Sequence, residues 1–406
     1  MKNSDVVSYF QAKFLWFDFE PVSCTPLHGG ILNFVGDDRF DKYMIPEGLH
    51  LKSLLTSVIM SALFMTQSSC GGPNKIAPAT PFATSTMPSV LNTPMPTKTT
   101  APLQTPSPAP VIQATWNEAP SMLFPRSAHA VIASETKIFA VAGTDDKGRP
   151  ILDVETFDGN QWSVETTLPG RGLNAPTASM IGNRLYVMGG FTAVTNIPTD
   201  EVQVYDLESR QWSMVSPLPN PRGGHVAVVL DDKIHALGGG NSVSTIADHS
   251  EYDPATDTWK ELAPLPRAEG SPAAVVVDGK IYVIGGRSGS SDFGDVYIYD
   301  PLTDTWSIGP SIEPRGTAGV VAYCGGIYLF GGESQLQRKN LDSVLRLDLE
   351  RGIWESVTAM PGPRKFARAV LFMDSVYIVG GSTVPASSHA PIGTASVLHF
   401  KQTGCS

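Results

Sequence analysis

Six short apolar runs recur at regular intervals along the chain: Ile138 to Val141, Leu185 to Met188, Ile234 to Leu237, Ile281 to Ile284, Ile327 to Phe330 and Val376 to Val379. Runs this short, rich in β-branched and aromatic residues, predict strands buried on both faces rather than helices. Each ends at a glycine pair: Gly189-Gly190, Gly238-Gly239, Gly285-Gly286, Gly331-Gly332 and Gly380-Gly381, with Ala142-Gly143 as a degenerate first member. Successive pairs lie 46 to 49 residues apart, which marks an internal repeat of one supersecondary unit.

Two further markers keep that period. Trp116, Trp162, Trp212, Trp259, Trp306 and Trp354 are spaced by 46 to 50 residues, and only Trp16 lies outside the series. Between glycines and tryptophan comes an aromatic usually followed by Asp, at Phe157, Tyr205, Tyr252 and Tyr299, with Leu347 and Phe400 less faithful. From Tyr252 and Tyr299 the next Trp is seven residues on, a spacing that suits two strands joined by a tight Asp-Pro turn.

Double glycine, aromatic and tryptophan in this order resemble the kelch repeat over residues 113–401. The resemblance implies an all-β, six-bladed propeller with four-stranded blades around a channel. WD-type propellers fit less well, because neither a Trp-Asp dipeptide nor a Gly-His opening recurs. The first Trp precedes the first glycine pair and no Trp follows the last, so the strand around Trp116 is expected to complete the blade begun by residues 365 to 401. Such a clasp leaves no free sheet edge. The repeat tryptophans and tyrosines are expected to pack between blades rather than to bind ligand.

One charged residue follows the same period, normally just after a proline: Arg126, Arg171, Arg222, Arg267, Arg315 and Arg364. Each stands 16 or 18 residues before its glycine pair, where the chain leads into the innermost strand. Six guanidinium groups there form a candidate ring at one mouth of the channel, suited to a carboxylate or an acidic peptide. The alternative is that each arginine binds local carbonyls or a neighbouring Asp. The loops after the glycine pairs, among them Thr144 to Ile151, Arg287 to Gly294 and Glu333 to Leu341, are expected on the same face.

No catalytic constellation, metal site or cofactor is recognised. His129 and His225 each stand three residues after a repeat arginine and read as repeat positions rather than a copper pair. Neither a cysteine placed for a copper-radical site nor a sialidase Asp-box is found. Sialic acid mutarotases (N-acetylneuraminate epimerase-like enzymes) are similar in their kelch repeats, and that similarity implies an Arg and Glu pair at the mouth. Arg267 with Glu269, or Arg315 with Glu313, fits it.

Composition then bounds the partners. The formal charge of -10 gives no basic footprint for nucleic acid. Cys24, Cys70, Cys324 and Cys405 are far apart with no C-x-x-C spacing, so they read as unpaired or buried thiols, Cys70 excepted. Cys70 follows an apolar run from Leu54 to Met65 with Lys52 before it, shorter than the roughly 20 residues of a membrane span. That segment resembles a bacterial lipoprotein signal with Cys70 as the lipidated residue, although Gln67 departs from the pattern and leaves ordinary signal-peptide cleavage as the alternative. Residues 1–43 form an extension of no evident structure and 44–70 the signal. Residues 71–112 are a flexible linker, with ten Pro and nine Thr between Pro73 and Thr115. Residues 402–406 are a tail.

The sequence therefore predicts an extracytoplasmic recognition module, monomeric, for a protein or carbohydrate ligand, with acidic ligands favoured. It meets membrane only through its N-terminal anchor. The competing expectation is the mutarotase-like enzyme.

Overall fold

The computed structural model describes residues 112–193, 195–384 and 393–404. The readings made for residues 1–43, for the signal with Cys70 and for nearly all of the linker lie outside them.

The described chain folds into six four-stranded antiparallel sheets. Blade one runs from inside to outside as Ala130–Ala133, Ile138–Val141, Asp153–Phe157 and Trp162–Thr167. Blade six takes three strands from the C-terminal end, Arg368–Phe372, Ser375–Val379 and Val397–Gln402. Its outermost strand is Ala114–Ala119, which pairs with Val397–Gln402 so that Trp116 faces Phe400. One more bond, from Thr403 N to Gln113 O at 2.9 Å, extends the clasp. The predicted all-β propeller and its closure are thus both present.

Burial follows strand position. The second strands are the apolar runs, and in blade one Ile138, Phe139, Ala140 and Val141 are wholly buried. Outer strands such as Gln211–Val215 carry only exposed and half-buried side chains. Inner strands are rich in Ala and Val because six of them crowd round one axis.

Apolar clusters join adjacent blades. Tyr186, Met188, Val202 and Val204 of blade two, for example, pack on Ile234, Ala236 and Tyr252 of blade three. A fully buried side chain of this size contributes about 1.5–3 kcal/mol. The tryptophans stitch each blade to the preceding one through the indole N–H: Trp162 donates to Pro120 O, Trp212 to Thr166 Oγ1, Trp259 to Ser216 O, Trp306 to Ala263 O and Trp354 to Pro310 O. Trp116 donates to Thr358 O and so ties the clasp strand to blade five. Their structural assignment agrees with this geometry.

The glycine pairs are explained by the same close approach. A Cβ on Gly189 would lie 2.6 Å from the Arg222 carbonyl oxygen and 2.7 Å from the His225 ring, and its φ of 58° is left-handed. One expectation is corrected: Cys324, in the turn between Gly319–Tyr323 and Gly326–Phe330, is disulfide-bonded rather than an unpaired thiol.

Candidate functional site

The segment leading into each inner strand pairs with the loop that follows the glycine pair, so both lie on one face. The pairs are Ser127↔Thr144, Asn174↔Phe191, Gly223↔Gly240, Gly270↔Arg287, Gly316↔Glu333 and Lys365↔Ser382. Together they form the rim of the channel mouth, the place expected for the repeat arginines and the loops.

Backbone hydrogen bonds define the register within each lead-in segment. The second residue of each glycine pair donates its N–H to one carbonyl there, and those carbonyls belong to Arg126, Leu173, Arg222, Glu269, Arg315 and Arg364. The arginine repeat is therefore fourfold. Arg171 and Arg267 lie two residues earlier, and Leu173 and Glu269 occupy the equivalent positions.

The four arginines in register are buried. Arg126 Nη1 bonds the Ala142 carbonyl at 3.0 Å and its Nη2 the Asp153 carbonyl at 3.1 Å, so it ties the end of strand two to the start of strand three. Its Nη2 also lies 2.5 Å from Glu155 Oε1, an ion pair with no exposure on either side. Arg222 repeats the pattern on Gly238 O, Asp248 O and Asp248 Oδ2. Arg315 does so on Gly331 O and Ser343 Oγ, and Arg364 on Gly380 O and Ser396 O. These guanidiniums close their own blades, which matches the local-carbonyl alternative rather than an open ring.

The two out of register differ. Arg171 is exposed and has no hydrogen bond or ion pair among the described residues. Arg267 is partly exposed, 2.6 Å from Asp295 Oδ2 and 3.4 Å from Glu269 Oε2, with its guanidinium 3.5 Å from the centre of the Phe293 ring. Glu269 itself is fully buried and its Oε1 has no partner among the described residues. Burial pushes its carboxyl up to about 8, against the pull of Arg267. The pair Arg267 and Glu269 is thus assembled, while Arg315 Nη2 stands 3.6 Å from Glu313 Oε2.

A group missed by the sequence reading joins three blades on the rim. Glu333 is buried and pairs with both Arg287 and Lys365, the latter at 3.0 Å. Arg287 keeps partial exposure and lies 5.6 Å from the Phe366 ring centre. Nearby Asp292 accepts from Gln335 N at 2.5 Å, and burial raises its pKa. A periodic signal existed: Thr144, Phe191, Gly240, Arg287, Glu333 and Ser382 each follow the first glycine-pair residue by two. At this repeat position the side chains are therefore charged in blades four and five and uncharged in the other four. His129 and His225 are buried repeat residues, and His225 Nε2 meets Thr177 Oγ1 at 2.9 Å.

Comparison with known proteins adds the following. The family described as Attractin/LZTR1 beta-propeller matches residues 185–401, more than half of the chain. Mouse Kelch-like protein 35 is 36% identical over 127 residues, covering 31% of this chain and 22% of that protein. Limulus polyphemus alpha-scruin is 30% identical over 129 residues, 30% of this chain and 14% of that protein. Human Kelch-like protein 23 is 28% identical over 249 residues, 61% of this chain and 35% of that protein. The chain thus spans at most about a third of these relatives' lengths. Among solved structures, that of YjhT is similar in fold, with a TM-score of 0.61 at 16% identity, covering 69% of this chain and 96% of that one.

Proposed function

The chain belongs to the Attractin/LZTR1 β-propeller family, and from that premise we propose that it is a recognition module that captures a protein or glycan at the channel mouth through acidic groups of the ligand. The observation that carries this reading is the split among the arginines. Arg126, Arg222, Arg315 and Arg364 are consumed by the scaffold, whereas Arg171 is exposed and Arg267 and Arg287 are partly exposed on the loop-bearing side. Guanidinium groups on a rigid rim suit planar carboxylates. The disulfide at Cys324 supports placing the propeller in an oxidising compartment, outside the cytoplasm.

A poly-glutamate peptide and N-acetylneuraminate serve as probes in calorimetric titrations of the full chain. The triple variant Arg171→Ala, Arg267→Ala, Arg287→Ala is expected to bind at least about 100-fold more weakly, since each charge-assisted hydrogen bond contributes about 1.5–3 kcal/mol. Unchanged affinity in a variant that keeps its thermal midpoint overturns the rim as the binding surface.

One observation favours a second, enzymatic reading. Glu269, pushed up to about 8 beside Arg267, holds its proton near neutrality as a general acid does. A mutarotase-like activity predicts faster anomer equilibration of freshly dissolved N-acetylneuraminate, followed by NMR. A rate equal to buffer removes this reading and leaves the binding one intact.

A further inference from the structure

The six inner strands begin at the mouth end of the axial channel, each at a residue paired with the end of its second strand. These residues are Ala130, Thr177, Val226, Ala273, Gly319 and Arg368, opposite Val141, Met188, Leu237, Ile284, Phe330 and Val379. Crowding at the axis explains five of them, which are small or β-branched and uncharged. The sixth places a guanidinium in a space of about 110 Å³ that all six blades line. A space of that size takes several waters or one small ion.

Arg368 is half-buried and differs from the four buried clamp arginines in having fewer hydrogen-bond partners. Its Nε donates to the His129 carbonyl at 3.0 Å, and it makes no other hydrogen bond and no ion pair among the described residues. Arg126, Arg222 and Arg315 each have a carboxylate within 4 Å, and Arg364, which has none, is held instead by the Gly380 and Ser396 carbonyls and the Ser396 hydroxyl. Thr177 and Arg368 are the polar side chains of the lining, and the Thr177 hydroxyl is engaged by His225. Desolvation lowers the Arg368 pKa to about 10 with no acid to offset it, so the group stays cationic at neutral pH. Burial keeps the neighbouring His129 and His225 neutral; His225 is pushed down to about 3. Among the described residues, one cation thus faces a narrow space whose lining holds no acidic side chain.

We propose that the mouth end of the channel is a binding site for one small monovalent anion, a halide or a formate-sized carboxylate, held by the terminal nitrogens of Arg368. The anion neutralises a charge that the lining leaves unpaired, and the small side chains of the other five blades exclude larger ions. This site is independent of the rim arginines.

The test uses the full chain at constant ionic strength, with bromide or formate replacing gluconate, an anion too bulky for the space. Thermal midpoints of the wild type are expected to rise with bromide or formate, and a rise with one alone assigns the site to a spherical or a planar ion. Arg368→Gln is expected to weaken binding at least about tenfold, the loss of one charge-assisted hydrogen bond, while Arg368→Lys retains part of it. Should Arg368→Gln fail to fold, crystals of the wild type in bromide give the answer through anomalous scattering. Bromide within hydrogen-bond reach of the guanidinium supports the site. Its absence there, or equal midpoint gains in wild type and Arg368→Gln, overturns it.

Discussion

Truncating Arg126 to alanine is expected to lower the unfolding free energy by about 3–5 kcal/mol, the cost of leaving one member of a buried ion pair alone. The Glu155 carboxylate then keeps only the Leu123 N–H, at 2.6 Å, in a place without solvent. The carbonyls of Ala142 and Asp153 lose their shared donor as well, so the second and third strands of blade one are no longer pinned where the chain turns between them. Arg171→Ala, at the exposed member of the same sequence series, is expected to change stability by no more than about 0.5 kcal/mol. Urea midpoints of the two variants beside the wild type decide the matter. Equal losses would sink the division into buried clamps and exposed or partly exposed rim arginines.

Replacing Glu269 by glutamine is expected to flatten the pH dependence of stability between about pH 5 and pH 8. The carboxyl titrates at about 8 in the folded chain and near 4.5 when unfolded. Between those values the native state holds a proton that the unfolded state has released, so stability is full below the lower value and falls as pH rises through the window. Above the upper value the slope from this group vanishes. The loss is on the order of a few kcal/mol for so buried a group. Glutamine keeps the shape and cannot ionise, so the variant is expected to match the wild type at pH 5 and exceed it at pH 8. Asp292, also raised, acts in the same direction in both proteins and cancels from the difference. Parallel stability profiles would mean that Glu269 is ionised in the folded chain throughout.

Much of the architecture was legible before any coordinate. Six glycine pairs and six tryptophans report six blades because the same inter-blade approach recurs at each junction, and the misplaced Trp116 reports the clasp. The function of the arginines was not legible to the same degree. Offsets of 16 and 18 residues look like variation within one series, yet the two-residue shift puts Glu269 and Leu173 where the clamps belong. Only the carbonyl chosen by each glycine N–H shows which residue holds the position. The rim group of Arg287, Glu333 and Lys365 escaped notice for a related reason, since each belongs to a different blade.

Periodic spacing, then, determined the strand order, the number of blades, their closure and the role of the aromatics, because these depend on contacts repeated identically by every unit. Tertiary structure alone decided which charges are buried, which are paired and which face the channel or the rim. Desolvation and ion pairing depend on the particular neighbours that a closed ring brings together, and those neighbours differ from blade to blade. Arg126 and Arg368 carry the same group, yet one meets Glu155 and the other an empty-handed ring of small side chains.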